Sequence, residues 1–413
     1  MRAWRSGWFG RLPIQWLTCL FTGVSALAQS PLLPAAPVTV EAAQALGTEW
    51  EVLLRKGEVT AVTSRMDLRS LSERALATLP GEEEARREFI TQYAAGAGAA
   101  YQHALRGVVH FRFLGAVRTN QAGGLVFRAL LPDGSASYCR YVVEARATGG
   151  VAITDVFVLP TGEWMSESIR WLYLLSEGKR GPALASRLSG AQAELVRHAA
   201  QVERLLAYQQ QKKHPEFLEA YRSLPVALRE DRTLLQMQLA TALAVEPLEF
   251  GVASQAWNRR YPTDPGLDLV AFEKWSARGE HGAAASALGR LEEFVGGDHY
   301  LRALRGVQLA RAGQVDLGRR LAEDAVGAEP DLVTGYDALL GIAIRARNFA
   351  EIARVLDDVA DHLPINPREL VQAQPQYADF LASAEGRQWL SRKPEINLPR
   401  RRPMTNAPAR PRS

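Results

Sequence analysis

Residues 299–332 read HYLRALRGVQLARAGQVDLGRRLAEDAVGAEPDL. Two stretches of helical periodicity flank Arg311-Ala312-Gly313, and Pro330 closes the second. Glycine breaks a helix and proline cannot continue one, so the segment predicts a helix, a turn and a second helix. Gly306 in the first stretch and Gly318, Ala322 and Ala325 in the second are small where the two helices must approach. Working outward, Pro262, Gly296, Pro330 and Pro364 recur at intervals of 34 residues. The copy at 265–298 turns at Arg278-Gly279 and carries Ala284, Leu288 and Leu291. The copy at 333–366 turns at Arg347-Asn348 and carries Ile352, Leu356 and Val359. The copy at 231–264 is degenerate, with Phe250, Ser254 and Trp257 in place of the small residues.

This period resembles that of the tetratricopeptide repeat, and residues 191–393 are read as a tetratricopeptide-like helical solenoid. A helical pair over about 191–228 precedes the repeats, with Gln209 to Lys213 expected as a solvated helix end. A closing helix is expected over 368–393, with Tyr377, Phe380, Leu381 and Trp389 covering the last repeat. The resemblance implies a concave groove lined by the first helix of each repeat. Register places Arg232, Leu239, Glu273, Tyr300, Val307, Arg311, Asp337, Ile344 and Arg345 along it. The Lys/Asn set with which such repeats grip a C-terminal carboxylate is absent. An extended peptide or a partner helix therefore suits the groove, unless the N-terminal domain fills it.

Residues 40–178 predict an α+β domain. Glu41–Arg55, Met66–Leu79 and Glu82–Leu105 have helical spacing, and Ala94–Ala100 within the third is rich in Gly and Ala. After Gly107 the period changes to two. Four strands follow, with short turns at Pro132-Asp133-Gly134-Ser135 and Thr148-Gly149-Gly150, so a four-stranded antiparallel meander is expected. Tyr138, Arg140 and Val142 fall on one face of the third strand. Thr161-Gly162-Glu163 then opens a helix, where an acidic residue is favoured by the helix dipole.

Helices first and a curved antiparallel sheet second resembles the nuclear-transport-factor-2-like fold, over roughly residues 40–175. The run Thr161-Gly162-Glu163-Trp164-Met165-Ser166-Glu167-Ser168 is similar to a stretch in uncharacterised exported bacterial proteins with helical repeats. Some relatives of that fold are isomerases or dehydratases with an Asp/His/Tyr set inside a cone. The resemblance makes His110, Tyr138, Tyr141 and Asp155 the candidate cavity residues, with Asp155 as a general base. The alternative places Asp155 and His110 on the solvated face, because a one-residue error in alternation exchanges the two sides.

The chain has 413 residues, 47% hydrophobic, and a net charge of +4. Three arginines among the first eleven residues and five among the last fourteen exceed that excess, so the intervening chain is mildly acidic. A nucleic-acid interface would carry its basic residues on a folded face, and none is expected. Residues 1–28 read as a secretory signal peptide: arginines, an apolar stretch from Trp16, then Ala26-Leu27-Ala28 before the cut. Residues 29–39 read as a linker and 394–413 as a disordered Pro/Arg-rich tail, offering weak contact to an anionic envelope surface. Export to the periplasm or medium follows, with no transmembrane span after cleavage. Beyond the leader only Cys139 remains, which excludes an internal disulfide and reads as a small buried hydrophobe. No phosphate-binding glycine loop, nucleophile elbow or metal-ligand spacing is present, and no cofactor is implied. Asp357, Asp358, Asp361 and His362 read as a solvated helix face. The sequence thus describes an exported, non-enzymatic scaffold for a protein or peptide partner. The alternative is an enzyme or small-ligand binder using the N-terminal cavity.

Overall fold

The computed structural model describes residues 38–392 apart from 120–121, 147–148, 246 and 263. The expected signal peptide, most of the expected linker and the Pro/Arg-rich segment 394–413 therefore lie outside the described residues. The described chain divides into two compact units. One runs to Lys274 and includes Glu293–Gly296; the other comprises Trp275–Glu292 and the residues from Gly297 onward.

In the first unit, α1 (Val40–Arg55), α2 (Val59–Thr63), α3 (Leu68–Leu76) and α4 (Glu83–Arg106) precede the sheet. Thr39 caps α1 by accepting from the Ala42 amide. Ala43, Leu46, Trp50 and Leu54 follow at helical spacing and are buried. The helix expected over 66–79 is α3, started where the Asp67 carboxylate accepts from the Ser70 amide, and the short α2 that precedes it was not expected.

The sheet is an antiparallel meander of β1 (His110–Thr119), β2 (Ala122–Leu130), β3 (Ala136–Ala145), β4 (Val151–Val158) and β5 (Glu163–Trp164). On β3, Cys139, Tyr141 and Val143 join the helical core, while Tyr138, Arg140 and Val142 face the other side, as alternation predicts. The sheet has five strands rather than four. The fifth is two residues long and pairs Glu163 with Val158 across a tight turn. Such a strand carries no periodicity of its own.

The chain continues through α5 (Met165–Arg180), a 3-10 turn, α6 (Gly190–Arg197), α7 (Ala199–Gln210), α8 (His214–Arg222), α9 (Val226–Arg229), α10 (Arg232–Val245), α11 (Pro247–Arg260) and α12 (Gly266–Ala277). One apolar core runs without a break from Ala43 to Met237, so α5 through α10 share the core that covers the sheet. Gln209 departs from the expected solvated helix end: it is buried and accepts from the Thr241 hydroxyl at 2.7 Å. Residues 210–213 are exposed as expected.

Helices α13 (His281–Phe294), α14 (His299–Arg311), α15 (Val315–Ala328), α16 (Val333–Arg345), α17 (Phe349–His362) and α18 (Pro367–Ala373) follow. The starts of α13, α15 and α17, at 281, 315 and 349, are 34 residues apart, as are those of α14, α16 and α18, at 299, 333 and 367. Within the second unit α14 packs on both α15 and α16, and α16 packs on α17. The expected closing helix is broken into α18, a 3-10 turn at Pro375–Tyr377, α19 (Ala378–Ala382) and α20 (Ala384–Ser391). Pro375 cannot donate into a continuing helix, and the Ser383 hydroxyl caps α20. Tyr377, Phe380 and Trp389 are nonetheless buried, and the Trp389 indole donates to Asp357 at 2.7 Å.

Helices α14 and α15 touch backbone to backbone. A Cβ on Gly306 would stand 2.5 Å from the Gly318 carbonyl oxygen, and one on Gly318 would stand 2.9 Å from the Ala310 amide. Neither obstacle is a flexible side chain, so the helices must separate to admit a methyl group. We expect Gly318→Ala to cost about 1–3 kcal/mol by overpacking. Urea unfolding of the variant checks this, and an unchanged midpoint would show that the two helices are free to slide apart.

Candidate functional site

A cavity of about 100 Å³ opens inside the first unit. One wall is α4, which presents Tyr93, Ala97, Ala100, Tyr101 and Ala104 on a single helical face. Three of those five side chains end at Cβ, and the Gly/Ala-rich stretch thereby leaves space. The opposite wall is the connection from β4 into α5, with Val158, Thr161, Glu163, Met165, Ser168 and Trp171. Leu68, Leu172 and Thr233 complete the lining, which is mostly apolar.

Glu163 is the ionisable carboxyl of this lining. Its place is fixed by the turn from Val158, where the Gly162 amide donates to the Val158 carbonyl at 2.8 Å. Gly162 has φ 63°, in the left-handed region, and a Cβ there would also strike the Arg232 guanidinium. The Glu163 side chain is buried. It accepts from the Thr233 hydroxyl on one oxygen and from the Ser168 hydroxyl, at 3.1 Å, on the other. Among the described residues no arginine, lysine or histidine forms an ion pair with it; Arg232, close by, pairs with Asp264 instead. Burial pushes the Glu163 carboxyl up to about 7; the two hydroxyls oppose that shift, and the negative charges of Asp231 and Glu167 add to it.

Glu163 is more than the helix-start residue expected of it. Helix α5 is served instead by Glu167, whose carboxylate accepts from the Trp164 amide at 3.0 Å. The signal was present in the run Thr161–Ser168, but its partner Thr233 lies 70 positions away.

The four sequence candidates for the cavity are not brought together. Tyr141 lies behind the cavity wall, its hydroxyl 2.5 Å from that of Tyr101, and burial raises both phenols far above their ordinary range. Asp155 accepts from the Val156 amide at 2.8 Å and from the amide and hydroxyl of Ser166 at 3.2 and 2.6 Å. It thus holds the first turn of α5. Burial raises its carboxyl, and its charge reaches Tyr93, whose phenol is raised chiefly by burial. Tyr138 lies on the opposite face of the sheet, in a small hollow with Val126, Phe157 and Leu159. His110, at the start of β1, has its Nε2 2.9 Å from an Arg55 guanidinium nitrogen. The Cys139 thiol is buried, and burial pushes it up to about 12, outside the reactive range.

The groove candidates divide as well. Leu239 and Tyr300 are buried. Arg232 is held by Asp264 and lies over the rings of Trp257 and Tyr261, at 5.7 and 5.0 Å. Glu273 is half-buried, and burial, with Asp133 nearby, pushes its carboxyl up to about 7. On α14 and α16, Val307, Asp337 and Ile344 are half-buried and Arg311 and Arg345 are exposed. Burial pushes the Asp337 carboxyl up to about 7. In the acidic run near the end of α17, Asp358 pairs with Arg354 and Asp357 with Arg392.

Among the described residues no group of three His, Cys, Asp or Glu side chains is placed to hold a metal ion. No described helix is long and apolar enough to cross a membrane. Comparison with protein-family models, curated proteins and solved structures gives no match to this chain.

Proposed function

We propose that the protein is an exported, non-enzymatic scaffold whose tetratricopeptide-like helical pairs bind an extended peptide or partner helix. The observation that carries this reading is the 34-residue recurrence of helix starts, with α14 packed on both α15 and α16. Each pair buries its face on a neighbour, and consecutive first helices then line one surface. Val307 and Ile344 give that surface an apolar strip, and Arg311 and Arg345 give it exposed positive charge. A partner segment with apolar residues between acidic ones fits such a surface. With a photo-crosslinking residue at Val307 in the full chain, we expect capture of a discrete partner. Arg311→Glu with Arg345→Glu should reduce that capture about tenfold while leaving the circular dichroism spectrum unchanged. Capture indifferent to the charge reversal would count against the groove.

A second reading, in which the first unit binds a small molecule, is favoured by one observation. The cavity beside α4 contains a buried carboxyl that forms no ion pair with a described cation.

A further inference from the structure

We infer that this cavity is a binding site for a small organic ammonium ion of roughly four or five non-hydrogen atoms, paired to the Glu163 carboxylate. The inference deepens the small-molecule reading and rests on it.

Size sets the upper limit. A dry cavity of about 150 Å³ accepts benzene, and this one is about 100 Å³. Charge sets the class. Glu163 receives two neutral hydroxyl donors and forms no ion pair; the Arg232 guanidinium acts on it only at longer range, its ion pair being with Asp264. Its carboxylate therefore has no counter-charge in contact with it in the apolar interior, and it meets that cost by holding its proton up to about pH 7. A neutral apolar guest would leave that charge as it is, and an anionic guest would worsen it. An ammonium group supplies the missing counter-charge and up to three N–H donors. Aromatic residues add to the fit: Tyr93, Tyr101 and Trp171 line the same space, and Trp and Tyr are the side chains that attract organic cations best. The short aliphatic remainder of such a guest meets the alanines of α4.

Binding should depend on pH in a definite direction. The groups acting on Glu163 are the Asp231 and Glu167 carboxylates, together with the Arg232 guanidinium and the Tyr261 phenol. From α4 the lining side chains are only tyrosine and alanine. With the Glu163 carboxyl at about 7, the acceptor form of the site grows as pH rises, while an alkylammonium stays protonated.

Calorimetric titration of the full chain with isobutylammonium and with its neutral analogue isobutanol tests the inference. At about pH 8 the ammonium should bind at least tenfold more tightly than the alcohol. That advantage should fall about tenfold on lowering the pH to about 6, and Glu163→Gln should abolish it. Ala100→Leu, which fills the cavity and leaves Glu163 in place, should remove binding of both. Equal affinity for alcohol and ammonium would overturn the cation site but leave a small-molecule site standing. Binding of neither probe would overturn both readings. A preference for the ammonium that survives Glu163→Gln or Ala100→Leu would place the cation elsewhere and overturn the inference.

Discussion

Replacing Glu163 by glutamine should stabilise the protein by about 3 kcal/mol at about pH 8 and change it little at about pH 4. The native carboxyl titrates near 7, against about 4.3 in the unfolded chain. Between those values the folded protein keeps a proton that the unfolded chain has released. Its stability therefore falls as pH rises through that window and is lowest once the carboxylate is fully ionised. Glutamine cannot ionise, yet it keeps an acceptor oxygen for the Thr233 or Ser168 hydroxyl. Glu273 and Asp337, also raised to about 7, produce a similar fall in both proteins. The informative quantity is thus the difference between wild type and variant. Urea unfolding at the two pH values measures it, and equal midpoints at about pH 8 would show that the carboxylate is hydrated in the folded state. A buried carboxylate with no ion-pair partner is a stability cost located at a cavity, the pattern expected where stability has been given up for binding.

Trp50→Ala should cost about 3–5 kcal/mol, the range for emptying a large aromatic site in a core. Trp50 is fully buried on α1, the helix that packs on β1 and β2. Its ring stacks on Phe127 with centroids 6.5 Å apart and meets Tyr141 edge-on at 5.9 Å, and the Arg65 guanidinium lies over it at 5.5 Å. Alanine leaves a void among rigid aromatic neighbours that cannot collapse into it. Helix α1 should loosen first, because its remaining buried side chains are smaller. Thermal unfolding followed by near-ultraviolet circular dichroism reads both effects. A loss below about 1 kcal/mol would mean that α1 contributes little to the core.

Helix positions were legible because the 3.6-residue periodicity survives in the sequence and a glycine, a proline or the Arg347-Asn348 turn punctuates the repeat helices. The helical pairs at 299–332 and 333–366 fall where that punctuation puts them. The two faces of β3 were legible for the same kind of reason, since alternation separates Tyr138 and Arg140 from Cys139 and Tyr141. Asp155 was not legible. The pairing of β3 with β4 slips between Val142 and Val143, and at such a bulge alternation no longer assigns sides.

The sequence by itself determined the order of the long helices and of the first four strands, the 34-residue interval and the small residues that let α14 meet α15. These are local properties, written in spacing and side-chain size. Only the tertiary structure decided which carboxylate is buried. Glu163 stands before a helix and reads as a helix-start residue, yet Thr233, 70 positions onward, and the short side chains of α4 enclose it. Gln209 was decided likewise by Thr241. Burial of a polar group depends on which distant side chains fold over it, and no local period records that.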